Sequence, residues 1–251
     1  MNAQTFVLHL TRARKRRDNA HALLETCGLP GEIWAAVDGA ALSPQDLSAD
    51  LSANLFDPPY PFTLKTGEIG CFLSHRQIWA EIVHRDLDYA IVFEDDVKLD
   101  PAVFPDALDL AVRHVQSFGV VQLQNRHPRG PARLIDVQGK CQLSFPTLTP
   151  VRLSAQLISR WGAEKLLEKA GTFDRPVDTY VQSHWFTGLR PGVVYPGGIR
   201  TISDALDGST IQIGRKSLPE RLHREVARFV YRRRIARLSK NSSAPFPEVE
   251  E

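Results

Sequence analysis

The chain has 251 residues, 43% hydrophobic and 24% charged, which suits one generous globular domain or two small ones and excludes a disordered or fibrous protein. Its 31 basic and 29 acidic side chains leave a formal charge of +2, too even a balance for a surface coated with nucleic-acid-binding charge, so no nucleic-acid partner is expected. Cys27, Cys71 and Cys141 are odd in number and scattered, with no Cys-x-x-Cys pair, which argues against a disulfide framework or a cysteine zinc site and for a reducing compartment.

No apolar run reaches the roughly 18 residues that a bilayer span needs. The N-terminus passes from Phe6-Val7-Leu8 into basic residues, the reverse of a signal peptide's order, so a cytoplasmic location is expected. Thr5 to Leu10 reads as a short buried strand, followed by the helical pattern Ala20, Leu23, Leu24, which Gly28-Leu29-Pro30-Gly31 ends. Ile33 to Val37 is predicted as a second strand, closed by Asp38-Gly39. Strand, helix, strand in that order is a parallel α/β unit.

Residues 43–61 mix Pro, Asp, Ser and Asn without period, which predicts a surface excursion or lid. Thr66 is a plausible helix N-cap, and Cys71, Ile78, Trp79, Ile82 and Val83 then recur at helical spacing. Tyr89 to Phe93 is an uninterrupted apolar run, the signature of a central strand covered on both faces. A helix over Phe104 to Phe118 and strands over Val120 to Leu123 and Ala155 to Ser159 continue the alternation, with loops between 125 and 150. A helix through Ala163, Leu166 and Leu167 follows, and residues 171–210 read as long loops of the kind that carry function. A last helix is predicted from about Pro219 to Leu238, and Ser, Pro and Glu in residues 239–251 predict disorder. The expected organisation is one α/β domain over 1–214, a basic amphipathic helix over 215–238, and a tail.

The sharpest chemical signal is Glu94-Asp95-Asp96, directly after the apolar strand, where ligands of open α/β sheets bind. Three adjacent carboxylates repel, and a hard divalent cation removes that penalty. A solvated acidic turn is the other reading. The run Lys65 to His75 offers a helix start whose amides attract phosphate or ribose oxygens, or merely a capped helix in which His75 is a satisfied core residue beside Cys71 and Ile78.

Taken together, Val7 to Arg12 with Arg16, Ala36-Val37-Asp38-Gly39, Gly67 to Cys71 with Ser74-His75, and Phe93 to Val97 resemble glycosyltransferase family 25. Ile158-Ser159, Gly162-Ala163, Pro176-Val177-Asp178 and Ser203-Asp204 extend the resemblance, which covers about residues 5 to 210. The chain departs from the family's usual pattern at His9, where Asn is common, and at Thr11, where an acid follows.

The resemblance implies a GT-A-like nucleotide-sugar-binding fold with a mixed, mostly parallel central sheet flanked by helices. It also implies metal-dependent, inverting transfer of a hexose, galactose before glucose, from a UDP-sugar to a lipopolysaccharide or lipooligosaccharide glycan hydroxyl. The cation would be Mn²⁺ or Mg²⁺, held by Glu94 and Asp96 with Asp204 as a further ligand and His184 and His223 as looser candidates. Leu10, Thr11, Arg12, Arg16, Val37, Asp38, Glu68, Ser74, His75 and Asp95 would face the donor. Asp178 would be the general base, or else a helix cap. Arginines from Arg215 to Arg237 interleave with Leu222, Val226, Phe229, Val230, Ile235 and Leu238, a pattern that suits either an anionic membrane surface carrying a lipid-linked acceptor or a helix packed on the domain. Two other classes fit the acids or the arginines alone: a phosphohydrolase of nucleotide-sugars, and a non-enzymatic adaptor.

Overall fold

The computed structural model describes residues 2–202 and 218–242, with side chains in the last helix described from Arg224 onward. The chain opens with strand β1 (Ala3–His9), a short 3₁₀ turn (Arg14–Arg16) and helix α1 (Arg17–Cys27), which ends at Gly28 in the left-handed conformation, φ 77°. Strand β2 (Gly31–Ala35) pairs parallel with β1, completing the expected unit two residues earlier than the sequence pattern suggests. Within the 43–61 excursion lies one short helix, α2 (Pro44–Ala49), capped by the Ser43 side chain.

Helix α3 (Thr66–His84) begins one residue earlier than a Thr66 cap would require. Lys65 is the N-cap, and its N–H donates to the Glu68 carboxylate at 2.7 Å. The fully buried run becomes β3 (Tyr89–Glu94), and the acidic residues form the tight turn into β4 (Val97–Leu99). Helix α4 (Phe104–Phe118) and strand β5 (Val120–Leu123) match their predicted bounds.

The 125–150 region, expected as loops, contains the hairpin β6 (Ala132–Gln138) and β7 (Cys141–Pro146). β6 is mostly exposed, so it lacks the apolar density of a core strand. In β7, however, Cys141, Leu143 and Phe145 alternate inward, a period-two signal. Strand β8 (Ala155–Ser159) and helix α5 (Arg160–Leu167) follow as predicted. The loop-rich stretch after residue 171 holds two short helices, α6 (Val177–Gln182) and α7 (His184–Thr187), and strands β9 (Gly192–Tyr195) and β10 (Ile199–Thr201). Helix α8 (Leu218–Asn241) closes the described chain.

Eight strands form one mixed sheet in the order β2-β1-β3-β8-β5-β9-β7-β6, while β10 and β4 pair separately. β2, β1 and β3 run parallel, as do β5 and β9, and β8 is antiparallel to both of its neighbours. Apolar clusters cover both faces, one built on α1 and α4 and the other on α3, α5 and α6. The mixed α/β class is therefore the expected one, and the parallel end brings the C-termini of β1, β2 and β3 together.

Helix α8 lies on this body through Tyr231 and Ile235. Fully buried Arg175 donates to the Tyr231 hydroxyl, to the Asp174 carboxylate and to the Phe56 carbonyl, tying α8 to α6 and the 43–61 excursion.

Candidate active site

A cavity of about 310 Å³ opens at the ends of β1, β2 and β3. Of the sequence-predicted residues, Leu10, Arg12, Arg16, Val37, Asp38, Ser74, Glu94, Asp95 and Asp96 line it, together with Leu8, Ala36, Gly39, Gly67 and Cys71. Thr11 is exposed outside the lining, and Glu68 is spent on the α3 cap.

The three acids have different surroundings. Asp95 is buried, with its two oxygens taken by His9 Nδ1 at 2.8 Å and Arg16 at 3.0 Å. Asn19 from α1 donates to the carbonyls of Asp95 and Val97, which holds the turn. Asp95 is thus anchored from within and neutralised by buried Arg16, while both side chains remain part of the cavity lining. His9 and Asn19 are the structural partners that sequence reasoning missed. The only available signal was His9 standing where the family has Asn.

Asp96 is left for chemistry. Among the described residues its Oδ1 is buried without a hydrogen-bond partner, and its Oδ2 lies 3.6 Å from Arg16. Burial raises its pKa, with the Arg16 charge opposing. Glu94 is pushed up to about 7, first by burial and then by the Asp96 charge, against a hydrogen bond from Ser154. An acid pair without enough countercharge, one oxygen of which is an orphan, fits a hard divalent cation.

Asp178, on α6, lies beside this site and is not part of the cavity lining. Both hydrogen bonds to its carboxylate go to Oδ1, from Thr179 N–H and Oγ. The N-cap position of α6 is Pro176, and Asp178, in the first turn, satisfies the Thr179 N–H of the helix start. Burial pushes its pKa up to about 6, and it lies near enough to Glu68 and Glu94 for their charges to act on one another. Tyr60 and Tyr231, 5.5 Å apart edge to face, feel the same Asp178 charge and flank that side.

The other candidates separate. Ser74 is buried, accepting from Val37 N–H at 2.8 Å and donating to the Gly70 carbonyl at 2.6 Å, so it holds the loop after β2. His75 is fully buried and does not line the cavity, and burial lowers its pKa to about 4. His184 is likewise buried, with its Nε2 against the Arg190 guanidinium, so a cation there would have to displace the arginine. Arg12 pairs with Asp38 at 2.6 Å on the rim. Asp204 and the His223 side chain lie outside the described residues; before Asp204, Ile202 donates its N–H to the Asp96 carbonyl at 2.7 Å.

The loop after β2 meets α3 backbone to backbone. A Cβ on Gly70 would fall 2.4 Å from the Val37 carbonyl oxygen, and one on Gly39 would fall 1.8 Å from that of Thr66. Both glycines are therefore required by contact distance, and that contact forms one wall of the cavity.

The sequence is similar to several known proteins. Inactive glycosyltransferase 25 family member 3 of Homo sapiens is 41% identical over 100 residues, 39% of this chain and 17% of that protein. Procollagen galactosyltransferase 2 of Homo sapiens is 37% identical over 100 residues, 39% of this chain and 16% of that protein. A glycosyltransferase 25 family member of Aedes aegypti is 32% identical over 190 residues, 70% of this chain and 30% of that protein. The chain spans less than a third of the length of these relatives. Residues 2–135, more than half of the 251, match the profile of glycosyltransferase family 25 (LPS biosynthesis protein), and the chain belongs to that family.

Proposed function

We propose that this chain transfers a hexose, galactose in first place and glucose in second, from a UDP-sugar to a glycan hydroxyl of lipopolysaccharide or lipooligosaccharide, with inversion. The observation that carries the proposal is the strand-end cavity in which Asp96 keeps a buried oxygen without a hydrogen-bond partner among the described residues, with the Asp178 carboxyl close enough to Glu94 for their charges to interact. Leu10, Arg12, Val37 and Asp38 are where the nucleotide would lie, between the β1 and β2 loops.

Glu94 and Asp96 would hold Mn²⁺ or Mg²⁺, with Asp204 as a further ligand. Such a cation supplies positive charge against the diphosphate that leaves. Arg16 and His9 keep Asp95 fixed, so the turn carrying Asp96 does not reorganise as charge develops. With a pKa near 6, Asp178 is ionised at neutral pH yet basic enough to take the acceptor hydroxyl's proton as the oxygen attacks. The acceptor side is flanked by Tyr60 and Tyr231, aromatic surfaces of the kind that sugars stack on.

A lipid-linked acceptor would bring α8 to the inner face of the cytoplasmic membrane. Val226, Phe229 and Val230 are exposed among arginines there, and no helix of the described residues is long and apolar enough to cross a membrane.

The test is a screen of UDP-sugars by thermal shift with and without Mn²⁺, followed by transfer to a truncated lipooligosaccharide. A donor that binds the folded chain raises its melting temperature, and Asp96→Asn should abolish the Mn²⁺-dependent part and lower turnover by orders of magnitude while the fold persists. No stabilisation by any UDP-sugar overturns the proposal, as does sugar release that ignores the acceptor, which would mark a phosphohydrolase.

A further inference from the structure

We propose that Cys71, His75 and Glu94 form a second cation site, for a borderline-soft divalent ion such as Zn²⁺, in the wall of the cavity. The Cys71 sulfur, a His75 ring nitrogen and a Glu94 carboxylate oxygen lie within 4.8 Å of one another. Cys71 and His75 are four apart on α3 and so share a face of the helix, and Glu94 ends β3 opposite them. No cysteine spacing reveals this set, because it mixes three donor types from two elements.

The histidine supplies an independent observation. His75 is fully buried, yet its Nε2 has no hydrogen-bond partner among the described residues. Its Nδ1 lies 3.4 Å from Gln156 Nε2, while Gln156 Oε1 is also buried and unpartnered. A half-turn of the Gln156 amide lets Oε1 accept the Nδ1 proton and frees the Nε2 lone pair for an ion. One rotation and one ion would satisfy both orphans, and ligating histidines are held by such a second bond.

Bond lengths near 2.3 Å to sulfur and 2.0–2.1 Å to nitrogen and oxygen put donors on a tetrahedral zinc about 3.3–3.6 Å apart. The trio therefore closes by about 1 Å, within reach of side-chain torsions. Cys71 and Glu94 line the cavity whereas His75 does not, so a fourth position would open toward the cavity for water or a phosphate oxygen. Thiolate and imidazole favour Zn²⁺ over Mn²⁺ and Mg²⁺, while the all-oxygen pair Glu94 and Asp96 favours the hard ions. Because Glu94 belongs to both sets, zinc here would compete with the cation of sugar transfer; that consequence rests on the transfer reading, whereas zinc binding does not.

The full chain, stripped with a chelator, is titrated with Zn²⁺ against a chromophoric chelator, and its Co²⁺ form is recorded in the ultraviolet. One equivalent of zinc and a thiolate-to-cobalt charge-transfer band are expected. Cys71→Ser should remove the band and weaken zinc at least tenfold, and Asp96→Asn should change neither. If Cys71→Ser melts early, Glu94→Gln, which keeps the thiol, should weaken zinc likewise. An absent band, zinc affinity unchanged by both Cys71→Ser and Glu94→Gln, or zinc lost in Asp96→Asn overturns the site. Zinc on this trio in a chain that transfers no sugar overturns the transfer reading alone.

Discussion

Glu94 sits where two demands conflict, since the strand end buries it and the cavity needs it charged. Its folded pKa of about 7 lies above the ordinary 4.5, so the folded state holds the proton more tightly than the unfolded one. That stability is full below pH 4.5 and is lost as pH rises through about 7. Without divalent cations, Glu94→Gln should therefore be more stable than the parent at pH 8 by on the order of 1–3 kcal/mol, with the gap closing near pH 4. Urea unfolding at the two pH values checks it, and a gap that is constant with pH refutes the buried-acid account. Asp178 gives a kinetic counterpart. At saturating cation, turnover should climb with pH through about 6, and Asp178→Asn should lower it a hundredfold or more without weakening the donor's thermal shift. Near-normal turnover in that variant would remove Asp178 as the base. At this scale the residue types were legible but their division of labour was not. Asp95 and Asp96 are neighbours in sequence, and only the arrival of Arg16 and His9 makes one an anchor and leaves the other an orphan oxygen.

Among the elements, those that carry their own period were legible: α3, α4, β3, β5 and β8 each stand where their apolar spacing puts them. The β6–β7 hairpin was not, because an exposed edge strand needs few apolar residues. Nor was α7, of four residues, too short to show a helical period, while α6, of six, was suggested only through Asp178 as its cap. Helix α8 was legible as a helix, but its two apolar groups were not separable in sequence. Ile235 and Tyr231 turn inward while Val226, Phe229 and Val230 face out, with Phe229 60% exposed. If that outer stripe meets an anionic bilayer, Phe229→Ser combined with Val230→Ser should weaken co-sedimentation with anionic vesicles severalfold and leave the melting temperature unchanged, since neither side chain is in the core. Equal co-sedimentation of parent and variant would leave the stripe without a membrane role.

Across the whole molecule, the cavity exists because segments distant in sequence meet without side chains between them. Gly70 is the clearest case. Adding a methyl there should push α3 away from the Val37 carbonyl, so Gly70→Ala is expected to lower stability by about 1–3 kcal/mol and to weaken UDP-sugar binding together with it. Denaturant unfolding and the donor thermal shift, measured side by side, check the coupling; a destabilised variant with full donor binding would detach this contact from the site.

The sequence by itself determined what is local. It marked the parallel unit at the start, the buried strand ending in three acids, and the helix closed by Gly28, because periodicity, caps and turn residues act over a few positions. Only the tertiary structure decided which carboxylate is neutralised, that Asp178 lies near enough to Glu94 to act on its charge, and that Arg190 meets the His184 ring. These outcomes depend on strand order and on which helix packs over which strand end. Charge and burial then act through space between residues whose separation along the chain carries no record of the distance between them.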